Sequence, residues 1–141
     1  VAMMMEMLEV KEGQKVLDIG SGSGWTTALL SFIVGDKGSV TGVERVSELV
    51  KFGNSNLAKY NLKNVKIIPA KDELGLVGKK FDRILVSAAA SEFPQELVKQ
   101  LKVGGKLVIP VGNSIYEITK KENAELEGKE HYGFTFVPLI F

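Results

Sequence analysis

Short apolar runs alternate with stretches of helical periodicity along most of the chain. Five of these runs have the length and composition of buried strands, and each ends near a turn signal. The predicted strands are residues 15–19, 39–44, 65–70, 81–88 and 106–111, the last entered through a turn at Gly104 and Gly105. The predicted helices cover residues 2–8, 26–34, 48–60 and 94–101. This alternation is typical of a parallel sheet whose strands are joined by crossover helices.

The pattern changes near the end of the chain. Residues 116–121 and 132–140 are strand-like, and the charged stretch between them, within residues 120–130, has the composition of a solvated turn. No helix is predicted between these two runs, so they should pair antiparallel. We therefore expect an α/β fold in which five parallel strands are followed by an antiparallel hairpin, seven strands in all. Ligands of such open sheets bind beyond the carboxyl ends of the strands, so functional residues should follow the first four strands.

The helix after the second strand has a cap and an inner face that the sequence indicates. Ser47 is suited to cap its first turn. Helical spacing places Leu49, Val50, Leu57 and Tyr60 on the face directed at the core. In the first helix, the four methionines are expected to face the core or to cover the sheet edge.

Composition narrows the function classes. The chain has 141 residues, enough for one domain, and its 18 basic and 17 acidic residues nearly cancel, which argues against a nucleic-acid partner. Cysteine is absent, which excludes disulfides, cysteine-ligated metals and a cysteine nucleophile. No apolar run approaches the roughly 20 residues that cross a bilayer. We expect a cytoplasmic monomer with no membrane partner and no metal site, and a surface or packing role for His131, the only histidine.

The strongest motif is VLDIGSGSGW, in which a buried strand runs into glycines and a helix follows at once. A phosphate-binding P-loop requires Lys-Ser/Thr after its glycines, where this chain has Trp25 and Thr26. A dinucleotide fingerprint requires a small residue at the sixth position, which is Trp25. The spacing of Gly20, Gly22 and Gly24 resembles instead the first motif of S-adenosylmethionine-dependent methyltransferases. A tight strand-to-helix turn without a ligand is the alternative.

Acidic residues flank this loop. Glu44 ends the second predicted strand, where a carboxylate can accept hydrogen bonds from both hydroxyls of a ribose, and Arg45 follows it. Asp18 lies inside an otherwise apolar strand and requires a partner, because a buried carboxylate is costly when unpaired. Amides of the loop and the amino group of a cofactor are both candidates for that partner.

Longer stretches resemble the protein-L-isoaspartate (D-aspartate) O-methyltransferase family. They are VAMMMEMLEV, VLDIGSGSGWTTALLSFIVG, GVERVSELV, FDRILVSAAASEFPQELVKQLKVGGKLVIPVG and FVPLI, and they extend over the whole chain. The resemblance implies the Rossmann-like class I methyltransferase fold, with a mostly parallel seven-stranded sheet, a C-terminal antiparallel hairpin and helices on both faces. It also implies transfer of a methyl group from S-adenosylmethionine to the α-carboxyl group of isoaspartyl residues in damaged proteins, a repair reaction that leaves S-adenosylhomocysteine.

The resemblance also implies a set of cofactor-binding positions. The loop positions are Gly20, Ser21, Gly22, Ser23 and Gly24. Asp18 and Arg45 adjoin them, and Glu44 would hold the ribose. The family has Gly-Asp-Gly after the third strand, and its aspartate faces the adenine amino group. Ungapped alignment places Lys71 there; a shift of one residue places Asp72 there, which we prefer because lysine cannot accept a hydrogen bond.

The family carries an active-site Ser or Thr in a loop just before the position of Val1. That loop lies outside these 141 residues, so we expect a single domain that is truncated at its N-terminus, binds cofactor and is poorly active. Ser87 and Ser91, after the fourth strand, are the catalytic candidates within the chain, although both are also suited to satisfy turn backbone. A class I methyltransferase with another substrate, and a cofactor-binding remnant without activity, are the alternative hypotheses.

Overall fold

The computed structural model describes residues 2–22, 24–88, 90 and 92–132. Its helices are α1 (Ala2–Leu8), α2 (Trp25–Val34), α3 (Ser47–Lys59) and α4 (Gln95–Val98). Its strands are β1 (Lys15–Ile19), β2 (Ser39–Glu44), β3 (Val65–Pro69), β4 (Phe81–Val86), β5 (Leu101–Val111), β6 (Ser114–Lys120) and β7 (Leu126–Tyr132). The predicted order of strands and helices is confirmed; most bounds differ by at most two residues from the predicted ones, and larger differences occur at α4, β5 and β7.

All seven strands form one sheet in the order β3-β2-β1-β4-β5-β6-β7. The pairings from β3 to β5 are parallel, whereas β5 pairs antiparallel with β6 and β6 with β7. The chain moves from β1 to β3 in one direction and then returns to β4 on the other side of β1. This reversal next to β1 is the switch point at which an open α/β sheet binds its ligand.

The same reversal determines which face each helix covers. Right-handed crossovers place the connections of β1-β2-β3 on one face and those of β3-β4-β5 on the other. Helices α1 and α2 share a buried cluster with Val16, Leu85 and Val108, and α3 covers Ile67 on the same face. The other face carries α4, whose Leu97 packs with Leu17 and neighbouring strand residues. Helices therefore lie on both faces as expected, and those of the described residues divide into three on one face and one on the other.

Two expectations for α3 are wrong. Ser47 is the first helical residue, and Val46 occupies the cap position with an extended backbone and no side-chain cap. Tyr60 follows the last helical residue, Lys59, so it is not part of the helix face that is directed at the core. It is 51% exposed, and its ring packs edge-on against Phe32. The buried face consists of Val50, Gly53 and Leu57, and Leu49 is half-buried.

The helix predicted over residues 94–101 is only one turn long, and β5 begins five residues earlier than expected. Leu101 already pairs with Phe81, because the backbone N–H of Phe81 donates to the carbonyl of Gln100. The glycine turn at Gly104 and Gly105 lies inside β5 and interrupts the pairing with β4 as an irregularity, where Gly104 has a φ of +82°.

The second hairpin strand is also displaced from its predicted position. β7 covers Leu126–Tyr132, within the stretch that we expected to be a charged turn, and the turn itself is confined to residues 121–125. The position of β7 explains its many charged residues. It is an edge strand whose side chains are exposed except for His131, and charged side chains on an edge strand oppose edge-to-edge pairing with another sheet. Of the predicted strand 132–140, residues 133–140 lie outside the described part of the chain.

None of the described helices is both long enough and apolar enough to cross a bilayer.

Candidate functional site

The glycine loop joins the carboxyl end of β1 to α2. Three glycines in it have left-handed backbone angles, with φ values of +78° at Gly20, +55° at Gly22 and +86° at Gly24. Residues with a Cβ rarely adopt such angles, which explains glycine at all three positions. The loop is closed by a hydrogen bond from the N–H of Gly24 to the carbonyl of Ser21, 3.0 Å long.

The three glycines differ in what surrounds them. A Cβ placed on Gly20 or Gly22 would meet no atom of the described residues within 4 Å, so this side of the loop is open to a ligand. A Cβ on Gly24 would lie 3.0 Å from the carbonyl oxygen of Gly53 and 3.2 Å from Cδ1 of Ile67. The third glycine therefore allows the loop to pack on α3 and β3, and the first two form an open backbone cradle.

Glu44 closes one side of the cradle. Its Oε1 accepts a hydrogen bond from the N–H of Gly22 at 2.8 Å, and its Oε2 accepts one from the N–H of Val46 at 3.0 Å. The residue is 8% exposed. An ionised carboxylate has about four acceptor positions, so these two amides leave each oxygen able to accept one more hydrogen bond.

Asp18 lies under the loop, on the face covered by α2. It is fully buried, and its Oδ2 accepts a hydrogen bond from the Thr27 hydroxyl at 2.8 Å. Burial raises the pKa of Asp18 to about 6, and the negative charge of Glu44 adds to the rise. The hydroxyls of Thr27 and Ser87 act in the opposite direction and keep that pKa from rising further.

Three buried polar atoms near the switch point have no hydrogen-bond partner of acceptable geometry among the described residues. They are Oδ1 of Asp18, Oγ of Ser21 and Oγ of Ser87. Ser87 follows β4, and its backbone N–H donates to the carbonyl of Ile19 at 3.0 Å, which places it beside the end of β1. Unpaired buried polar atoms are uncommon in folded proteins, and each one requires an explanation such as a bound ligand or water.

The remaining predicted positions lie around this centre. Arg45, Lys71 and Asp72 are exposed. The N–H of Ala70 donates to the carbonyl of Glu44 at 2.8 Å, so the chain leaving β3 starts next to the end of β2. Ser23 and Ser91 lie outside the described residues. The structure thus brings the glycine loop, Asp18, Glu44 and Ser87 to the carboxyl ends of three adjacent strands.

His131 lies on β7 and belongs to a chain of ionisable side chains. Its Nε2 is 2.7 Å from Oε2 of Glu117, whose Oε1 is 3.1 Å from Nζ of Lys106; the same ammonium is 2.6 Å from Oε1 of Glu9. This network joins the turn after α1 to β5, β6 and β7. The described residues contain no group of three or more His, Asp or Glu side chains arranged to hold a metal ion.

Two contributors to the site were not predicted from the sequence. Thr27 is the hydrogen-bond donor to Asp18, and a hydroxyl in the first turn of the helix that follows a buried Asp was the available signal. Gly53 allows α3 to approach Gly24, and a glycine on the inner stripe of a helix was the signal there.

Comparison with known proteins shows the family of this chain. A sequence model of the Protein-L-isoaspartate(D-aspartate) O-methyltransferase family matches residues 1–140. This chain belongs to that family. Its fold is close to that of a solved protein-L-isoaspartate O-methyltransferase, with a TM-score of 0.89 and 26% identity over 99% of this chain and 46% of the other.

Relatives in the isoaspartate O-methyltransferase family support the assignment. The protein-L-isoaspartate O-methyltransferase of Pyrococcus horikoshii is 44% identical over 99% of this chain, and that of Thermococcus onnurineus is 46% identical over the same share. This chain spans 66% of the length of each. A structure described as the Plasmodium falciparum enzyme in complex with S-adenosyl-L-homocysteine has a TM-score of 0.83 and 31% identity, over 99% of this chain and 70% of that one.

Proposed function

We propose that this chain binds S-adenosylmethionine and transfers its methyl group to the carboxylate of isoaspartyl residues in proteins. The observation that carries the proposal is the position of Glu44, which is fixed by the amides of Gly22 and Val46 beside an open glycine cradle. Family membership gives the reaction class. Because the chain spans about two thirds of its curated relatives, the activity remains a proposal for this chain.

The residues fit the cofactor in three respects. The open side of Gly20 and Gly22 has room for a ligand against the backbone. Glu44 has unused acceptor capacity for two ribose hydroxyls. Oδ1 of Asp18 is buried and has no hydrogen-bond partner of acceptable geometry in the described part of the chain, which suits the ammonium group of the cofactor's methionine part. Asp72 is proposed to accept from the adenine amino group.

When bound, S-adenosylmethionine supplies a methyl group on a positively charged sulfur. The isoaspartyl carboxylate is ionised at neutral pH, since its reference pKa is about 4, so no residue of this chain has to remove a proton. Gly20, Gly22, Glu44 and Asp18 would hold the cofactor, which would supply the methyl group to a carboxylate oxygen with the neutral thioether as leaving group. The work of the protein is to align the two reactants and to exclude water.

Ser87 is proposed to help orient the carboxylate. It follows β4 directly, next to the end of β1, and its hydroxyl has no partner of acceptable geometry among the described residues. Ser91 is a second candidate from the sequence. The family's Ser/Thr loop is not among the 141 residues, so we expect the chain alone to bind cofactor and to turn over slowly.

Calorimetry with S-adenosylhomocysteine and with NAD tests the cofactor assignment, and preferential binding of NAD would overturn it. Transfer of labelled methyl to an isoaspartyl peptide, with the matching aspartyl peptide as control, tests the substrate. If calorimetry shows that the chain binds S-adenosylhomocysteine but neither peptide is methylated in the transfer assay, the result would favour another substrate or a cofactor-binding remnant. Turnover equal to that of the Pyrococcus horikoshii relative would contradict the expected slow reaction.

Partners and location follow from the same proposal. The proposed partners are proteins that contain isoaspartyl residues, and the chain is proposed to act as a monomer in the cytoplasm. The absence of cysteine is consistent with an intracellular setting. Sedimentation of the purified chain measures its oligomeric state.

A further inference from the structure

The connection from β3 to β4 is unusual for a crossover in a parallel sheet. Residues 70–80, all of them described, contain neither helix nor strand. The connection must pass two intervening strands, β2 and β1, and therefore crosses about 14 Å of sheet at the usual strand spacing. Without a helix, its backbone polar groups require partners from elsewhere in the fold.

Gln100 supplies two of those partners. Its side-chain Nε2 donates to the carbonyl of Leu74 at 2.9 Å, and its Oε1 accepts from the N–H of Leu76 at 2.8 Å. The side chain is almost fully buried, at 2% exposure, and Leu74 is buried in the adjacent core. Gly75 between them has a φ of +72°, and a Cβ on it would collide with Oε1 of Gln100. The amide and the loop therefore fit each other closely.

The clamp fixes one end of a short exposed segment. The other end is fixed at Ala70, whose N–H donates to the carbonyl of Glu44. Between these two anchors lie only the exposed residues 71–73, with Asp72 in the middle. A segment of three residues that is held at both ends has few available paths, because each residue spans at most about 3.6 Å.

We infer that Gln100 is a positioning residue for the cofactor, since its clamp on Leu74 and Leu76 directs residues 71–73 so that Asp72 faces the adenine amino group. The inference rests on the proposed function. Gln100 does not touch the cofactor, and its effect is transmitted by the path of the loop. A glutamine at this position thus contributes to recognition of the base from outside the binding site.

Base discrimination measures this effect. S-inosylhomocysteine differs from S-adenosylhomocysteine by a carbonyl oxygen in place of the adenine amino group, so a carboxylate that accepts from the amino group should repel the analogue. We expect the wild-type chain to bind S-adenosylhomocysteine about tenfold more tightly than S-inosylhomocysteine, or more. Gln100→Met keeps the length of the side chain and removes both hydrogen bonds. It should lower the ratio of the two dissociation constants toward the value of Asp72→Asn.

A merely structural role gives a different result. Both ligands would then weaken by the same factor and the ratio would stay at the wild-type value, which would overturn the inference. Gln95→Met, an exposed glutamine on α4, is the matched control and should leave the ratio unchanged. If Gln100→Met does not fold, Gln100→Glu retains the acceptor for Leu76, loses the amide donor to Leu74, and should still lower the ratio.

The double variant separates coupling from coincidence. In an Asp72→Asn background, Gln100→Met should lower the ratio no further, because the contact that it positions is already gone. A full additional decrease would overturn the inference. The proposed function fails separately, if the wild-type chain does not bind S-adenosylhomocysteine at all; a wild-type chain that binds both ligands equally contradicts only the role given to Gln100 and Asp72.

Discussion

The backbone N–H of Gly22 donates to Oε1 of Glu44 at 2.8 Å, and this bond joins the loop after β1 to the end of β2. The other oxygen of the same carboxylate, Oε2, accepts a hydrogen bond from the N–H of Val46. Glu44 thus shapes the cradle and also faces it. A ligand that binds there meets a carboxylate whose position is already fixed before binding, which lowers the entropic cost of recognition.

Glu44→Ala should weaken binding of S-adenosylhomocysteine by about tenfold to a hundredfold, which corresponds to roughly 1.5–3 kcal/mol for hydrogen bonds to a charged acceptor. Calorimetry measures the loss. Glu48→Ala, which removes an exposed carboxylate from the first turn of α3, is the matched control and should leave the affinity unchanged. Affinity within twofold of wild type for Glu44→Ala would mean that the ribose is held elsewhere.

Gly22 and Gly24 should respond differently to alanine. At Gly22 the new methyl group meets none of the residues that the structure describes, so the cost to folding is the positive φ, roughly 1–2 kcal/mol. At Gly24 it also lies against Gly53 and Ile67, which adds about 1–3 kcal/mol of overpacking. Urea unfolding should rank Gly24→Ala as the less stable variant.

Cofactor affinity should show a separate contrast at Gly22. Gly22→Val should weaken binding of S-adenosylhomocysteine more than Gly22→Ala does, because the larger side chain occupies the open side of the loop. Equal affinities for the two variants would indicate that the cofactor does not approach Gly22.

Local chemistry explains which parts of the site could be predicted from the sequence. The glycines are required by backbone angles, and Glu44 follows from its place at the end of a strand beside them, so both are properties of short segments. The donor to Asp18 is different, because Thr27 contacts it only after α2 has packed on β1. The clamp formed by Gln100 depends on residues more than 20 positions earlier, and such a pair has no local signature.

The wrong predictions have a related cause. Alternation of apolar and polar residues identifies strands with one buried face, and β7 has none because its side chains are exposed on both faces except for His131. Its position is set by pairing with β6, from Ser114 opposite Tyr132 to Lys120 opposite Leu126. Composition alone assigned the same residues to a turn.

Lys106→Met should destabilise the fold by about 1–3 kcal/mol at pH 7, because it leaves the largely buried carboxylate of Glu117 without its ammonium partner. Lys102→Met, which breaks an exposed pair with Asp82, should change stability by no more than about 0.5 kcal/mol. Chemical unfolding of both variants provides the comparison, and equal losses would contradict a structural role for the network of Lys106.

The pH dependence of that difference has a defined sign. Burial opposes ionisation of Glu117, but the hydrogen bonds from His131 and Lys106 lower its pKa below the usual 4.5. A lowered carboxyl pKa stabilises the fold above the unfolded value, and this contribution is lost as the pH falls through the folded value. The gap between wild type and Lys106→Met should therefore narrow below about pH 4.5. A gap that stays constant down to pH 3 would show that Glu117 is not the group concerned.

Asp18→Asn should make the protein more stable at neutral pH and a weaker binder of cofactor. The pKa of Asp18 is raised from 3.8 to about 6, chiefly by burial, so the folded state holds a proton that the unfolded state has already lost between these values. Below pH 3.8 Asp18 is protonated in both states and does not reduce the free energy of unfolding. Above pH 6 it is ionised in both states, and its burial then lowers the free energy of unfolding by on the order of 3 kcal/mol, at about 1.4 kcal/mol per pKa unit. Asparagine stays neutral and avoids this penalty, and its side-chain carbonyl can still accept from Thr27.

The stability advantage of Asp18→Asn should accordingly be largest at pH 8 and disappear near pH 4, which urea unfolding at several pH values can follow.

Binding of S-adenosylhomocysteine should weaken in the same variant. The side-chain amide of asparagine carries no negative charge, so it no longer attracts the cofactor's ammonium group as Oδ1 of Asp18 does. A burial penalty retained for the sake of binding is a common reason for a stability–function trade-off. Thr27→Val provides the opposite control: it removes the hydroxyl that donates to Oδ2 of the carboxylate, so it should lose stability at pH 8 and much less at pH 4. A pH-independent advantage for Asp18→Asn would contradict titration of Asp18 in this range, and unchanged affinity would place the ammonium group elsewhere.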